Sequence, residues 1–187
     1  LLHHMPVRRL QAEAIRDAIL AVSGRLDRNL YGPGVPTHRT AFMTGRGARA
    51  SGPLDGDGRR SIYGTVYRNF LSPFMLTFDQ PSPFGPKGRR SVSNVPAQAL
   101  VLMNDPFVIE QSEIWAKKSL AGEELSDRER ISHMYESATG RIPGDSHIEL
   151  LQSFLDQQSE LHGARDERAW ADLAHALYNL KDFIYLN

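Results

Sequence analysis

Tyr31-Gly32-Pro33-Gly34-Val35-Pro36 cannot be helical. The stretch that follows, Thr37 to Arg60, is rich in Gly and Arg and shows no apolar periodicity. Any fold open to this chain must therefore hold a long irregular segment against a framework supplied by the rest.

That framework reads as helical. Ile15, Ile19, Val22 and Leu26 fall at helical spacing in a helix expected over Pro6 to Ser23, with Gly24 placed to end it. Pro73 to Phe78 gives one or two helical turns, and Asp79 to Pro86 is a proline-dense loop. Pro96 fits a first helical turn with Asn94 as N-cap, and Leu100 and Met103 as its buried side. A helix from Pro106 carries Phe107, Ile109, Ile114 and Trp115, with Gly122 after it. Ser126-Asp127-Arg128-Glu129 is a capping box, followed by Ile131, Met134, Tyr135 and Ala138 and stopped by Gly140. Asp145 is placed to cap a helix that buries Ile148, Leu151, Phe154 and Leu155 before Gly163. Trp170, Leu173, Ala174, Leu177 and Tyr178 form the stripe of a last long helix, and Phe183 to Leu186 is apolar enough to dock. Ser61 to Arg68 is rich in β-branched and aromatic residues and leans to strand, with a helix left open by the spacing of Ile62, Val66, Tyr67 and Phe70.

Gly58-Arg59-Arg60-Ser61-Ile62 returns thirty positions later as Gly88-Arg89-Arg90-Ser91-Val92. If both copies begin short strands they can pair as a ribbon, which clusters Arg59, Arg60, Arg89 and Arg90. Such a cluster needs carboxylates or a bound anion. Asp79, Asp105 and acids of the second half are the expected carboxylate partners; in the anion-binding alternative, Asp79 or Asp105 act on a proton. The expected fold is mainly α: one bundle-like domain over 1–187, with a small β ribbon and long irregular Gly/Pro/Arg-rich segments.

Length and composition agree with one soluble domain: 187 residues, 41% hydrophobic and 24% charged. No run approaches the roughly eighteen apolar residues of a membrane span. The opening Leu1-Leu2-His3-His4-Met5-Pro6 lacks the plan of a signal peptide and reads as the start of a fragment. Cysteine is absent, which excludes disulfides, thiolate metal sites, cysteine nucleophiles and covalent c-type haem. The net charge of zero hides an asymmetry. Residues 1–105 hold 14 Lys+Arg against 7 Asp+Glu, or +7; residues 106–187 hold 8 against 15, or −7. Two halves that dock and neutralise each other are expected, with an anion-binding face on the first as the alternative.

Signals for chemistry are weak. Gly45 to Ala50 fits a dinucleotide fingerprint, but Ser51-Gly52-Pro53 prevents the helix it must open. Asp55-Gly56-Asp57-Gly58 resembles part of a calcium loop with Val66 at the glutamate position, and is expected as an exposed turn. His133, His147, His162 and His175 show no ligand spacing, and no nucleophile elbow occurs. Nucleic acid is disfavoured by the acidic second half.

Several segments together resemble a planctomycete-type family known as domain-of-unknown-function 1553. They are Arg9 to Asp17 with Val22 to Leu26, Gly58 to Tyr63 with Arg68-Asn69, Phe78 to Pro81, Gly88 to Val108, and Trp170 to Phe183. The resemblance implies the C-terminal portion of a long exported protein, extracytoplasmic, whose upstream regions include a cytochrome c segment. Haem would belong to that upstream region and not to this cysteine-free chain. It implies no catalytic residues. The expected role is a non-catalytic structural and interaction module whose partners are the upstream domains of the same polypeptide. The alternatives are an arginine-lined part of an enzyme or binding protein for anionic polysaccharide, and a docking surface for a redox partner.

Overall fold

The computed structural model describes residues 6–45, 47, 50–121 and 124–186. Along the chain these form β1 (Arg8–Arg9), α1 (Ala12–Ser23), α2 (Pro73–Thr77), α3 (Pro96–Asn104), α4 (Pro106–Leu120) and α5 (Asp127–Thr139). They continue with α6 (Asp145–His162), α7 (Glu167–Tyr178), α8 (Lys181–Ile184) and β2 (Tyr185–Leu186). The domain is mainly α, as expected. Gly122, Glu123 and the Arg46, Ala48 and Arg49 of the fingerprint-like stretch lie outside the described residues.

Local chemistry sets the helix ends. Gly24, Gly140 and Gly163 stop α1, α5 and α6 in the left-handed conformation. The Ser126–Glu129 capping box opens α5. Asp105 caps α4 by accepting from the Phe107 amide at 2.9 Å, with Pro106 in the first turn. Two expected caps move by one residue: Val95, not Asn94, precedes α3, and Gly144, not Asp145, precedes α6.

α7 is the centre of the core. It buries Ala169, Trp170, Leu173, Ala174, Leu177 and Tyr178, chiefly against α4, and α4 in turn packs on α1. The Tyr178 ring stands 5.1 Å from Trp115 of α4 and 5.1 Å from Phe183 of α8. Its hydroxyl donates to the Ile19 carbonyl of α1 at 3.2 Å.

Four expectations are overturned. The small ribbon exists, but it pairs the two ends of the described chain, Arg8 with Leu186 and Arg9 with Tyr185, and not the two Gly-Arg-Arg-Ser copies. Residues 61–70 are neither strand nor helix: a 3₁₀ turn at Ser61–Tyr63 gives way to irregular chain with single bridges. α3 buries Gln98 and Leu102 and leaves Leu100 and Met103 more than half exposed, at 58% and 55%. The neighbours that would cover them are absent from this face, so apolar spacing alone misleads.

The fourth concerns charge. Every ion pair among the described residues stays within its own half: Arg25–Asp55 and Arg90–Glu13 in the first, for example, and Lys117–Glu167 and Arg141–Asp182 in the second. The halves dock through the apolar core and through hydrogen bonds, among them a buried neutral one of 2.7 Å from Ser23 to Gln111 and an exposed one of 3.1 Å from the Lys118 ammonium to the Val22 carbonyl.

Two truncations separate core from exposed face. Leu173→Ala in α7 is expected to cost about 3 kcal/mol in urea denaturation. Leu100→Ala in α3 is expected to stay within about 0.5 kcal/mol.

Candidate functional site

α1 organises the irregular segment through its polar flank. Asp17 accepts from the Ser61 amide at 2.7 Å and the Ser61 hydroxyl at 2.6 Å, and lies 4.0 Å from the Arg60 guanidinium. Glu13, one turn earlier, takes both arms of Arg90 at 2.7 and 3.0 Å. Both repeated segments are therefore anchored on one acidic stripe of α1, without pairing with each other.

The two copies have different surroundings. Gly58 has φ +71°, and a Cβ there would meet the Arg25 carbonyl oxygen at 2.1 Å; at Gly88 nothing lies within 4 Å. Arg59 lies over the Tyr63 ring at 4.2 Å and donates to the carbonyls of Asn29 and Tyr31, with Asp27 at 3.4 Å. Arg89 is exposed and forms no ion pair with the described residues. The arginine partners are thus Glu13, Asp17 and Asp27 of the first half, in place of Asp79, Asp105 or acids of the second.

Asp79 serves Arg9 instead. It accepts from Arg9 at 2.6 Å, from the Ser93 amide at 2.7 Å and from the Ser93 hydroxyl at 2.9 Å. Burial alone would raise its pKa, but the Ser93 and Arg9 donors outweigh that and hold it below the ordinary value. Its backbone is left-handed, with φ 65°. These contacts pin the turn after α2 and the approach to α3 onto β1.

Asp105 has a different environment. It lies at the edge of a half-enclosed cavity of about 160 Å³ between α1, α2, the start of α4 and the irregular segment. Val35, Leu54, Phe70, Phe74, Met75 and Phe107 give it an apolar wall, and Arg16, His38 and Arg59 also face it. Burial pushes the Asp105 carboxyl above its ordinary pKa, against the pull of the Phe107 amide and of His38.

Arg16 holds the cavity floor. Its guanidinium donates to the carbonyls of Arg59 (2.9 Å) and Asp55 (2.6 Å) and to the Ser61 hydroxyl (3.1 Å), and lies 5.6 Å from the Phe107 ring centre. Asp55, expected on an exposed turn, is buried and paired with Arg25 at 2.6 Å.

Of the sequence candidates, the cavity gathers Arg59 and Asp105; Arg60, Asp79, Arg89 and Arg90 do not line it. Arg16 and His38 were missed. Arg16 had a signal, since it stands four residues from both Ala12 and Leu20 on the buried stripe of α1. His38 had none. The other histidines are dispersed: His162 meets Asp172 at 2.6 Å, His175 the Leu102 carbonyl at 2.8 Å, and His147 the Tyr135 ring. No group of three or more potential metal ligands occurs among the described residues.

Gly58→Ala is expected to destabilise by about 2 kcal/mol or more, through left-handed strain and the Arg25 contact, in denaturant titration. Gly88→Ala is expected to be neutral by the same measurement. Because the folded pKa of Asp79 is depressed, its contribution to stability is complete above its unfolded value near 3.9 and is lost as pH falls through the folded one. Asp79→Asn keeps a residue tolerant of the left-handed backbone. It should cost about 3 kcal/mol at neutral pH by stranding buried Arg9, and flatten the acid limb of a stability–pH curve.

A family model described as protein of unknown function (DUF1553) matches residues 1–155. No curated protein and no solved structure matches the chain. The match includes the cavity, the α1 stripe and both repeated segments, and ends before α7, so the resembling stretch from Trp170 to Phe183 falls beyond it. The chain belongs to the DUF1553 family.

Proposed function

We propose that this chain is a non-catalytic interaction module of a longer exported polypeptide, and that its basic first half is the docking side. The observation that carries this reading is the confinement of ion pairs among the described residues to their own halves. Among the described residues no carboxylate of the acidic half closes an ion pair on an arginine of the first, which leaves surplus positive charge there for an acidic partner surface.

The outer face of α3 supports the same reading. Leu100 and Met103 stand exposed on α3, as do Val92 and Val95 in the segment that leads into it, and the loop before them carries exposed Lys87 and Arg89. An apolar patch with a basic rim suits a partner with an apolar centre and acidic edge. The partner we assign is the upstream region of the same polypeptide.

The test is binding of this chain, in trans, to the separately produced upstream region. Affinity is expected to fall at least about tenfold between low and high salt, and to fall further in Lys87→Glu/Arg89→Glu. Leu100→Ser/Met103→Ser should abolish it while leaving the thermal melt unchanged. Absence of binding at every salt concentration, or binding indifferent to all four positions, would overturn the reading.

A further inference from the structure

None of Lys87, Arg89, Leu100 and Met103 lines the cavity beside Asp105, and its chemistry is selective in its own right. Its volume of about 160 Å³ matches the roughly 150 Å³ of an apolar cavity that accepts a benzene-sized molecule. Phe70, Phe74 and Phe107 supply aromatic wall. A ring-sized apolar body therefore fits in size and in surface.

The polar groups restrict the ligand further. One Asp105 oxygen is occupied by the Phe107 amide at 2.9 Å, and the other has no hydrogen-bond partner among the described residues. An anionic ligand would meet the Asp105 carboxylate; a cationic one would meet the guanidinium groups of Arg16 and Arg59. A neutral group that donates a hydrogen bond avoids both repulsions.

We propose that this cavity binds a small neutral aromatic alcohol, with the ring against Phe70, Phe74 and Phe107 and the hydroxyl donating to the free oxygen of Asp105. Asp105 then serves two ends: one oxygen starts α4 and the other reads the ligand. The aromatic wall sets size, and the carboxylate sets polarity.

Phenol and toluene, equal in heavy-atom number, are the probes, with binding followed by protein NMR titration. Phenol is expected to bind at least about tenfold more tightly than toluene, the range of a hydrogen bond to a charged acceptor. Asp105→Ser retains an N-cap oxygen for α4 but removes the second oxygen, and should bring the two probes within about twofold. Val35→Phe, which fills the cavity, should remove binding of both. Equal affinity of phenol and toluene in the unaltered chain overturns the proposal. So does perturbation of residues away from the cavity only, or a phenol preference that survives in Asp105→Ser.

Discussion

The Tyr178 hydroxyl is buried where no water can satisfy it, so it must find a protein acceptor. It finds the Ile19 carbonyl, while the ring rests between Trp115 and Phe183. One side chain of α7 thereby fixes α1, α4 and α8 with respect to one another. Burial raises its pKa above that of an ordinary phenol, which favours the protonated hydroxyl as the donor. The position of α1 then carries outward: Glu13, Arg16 and Asp17 tie down the repeated segments and the cavity floor. The irregular third of the chain is ordered at second hand, by a helix that is itself held from behind.

Division of labour between apolar and charged groups follows from desolvation. A charged pair across the α1–α4 seam would have to be stripped of water, and removing either member would leave a stranded charge. Ser23 and Gln111 join the halves in the buried part of that seam as neutral groups, and the Lys118 ammonium reaches the Val22 carbonyl at its exposed edge. The arginines instead satisfy carboxylates and carbonyls close to the loops they hold, as Arg16 does for Asp55, Arg59 and Ser61.

Much of the helical framework was legible because its signals are local. The Ser126–Glu129 box, the α7 stripe and the glycines ending α1, α5 and α6 each depend on residues within a turn or two. What depended on distant neighbours was not. Gly58 and Gly88 sit in matching pentapeptides, yet only one lies beneath the Arg25 carbonyl. Leu100 and Met103 have core-like spacing but no neighbour to cover them. The cavity is assembled from α1, the irregular segment and the α3–α4 junction, so Asp105 could be suspected from its type alone. Its apolar surroundings, and His38 and Arg16 beside it, come from contacts made far along the chain.

A sum of zero charge does not describe this surface. With ion pairs among the described residues closed inside each half, opposite surplus charges ride on the two sequence halves of one molecule. Near its pI of about 7.3 it should adhere to both cation- and anion-exchange media, turning a different side to each. Two copies meeting in dilute salt would align head to tail, an encounter that repeats along a line instead of closing into a pair. At physiological salt that alignment fades beyond about 8 Å, so orientation is selected only in the last moments of approach.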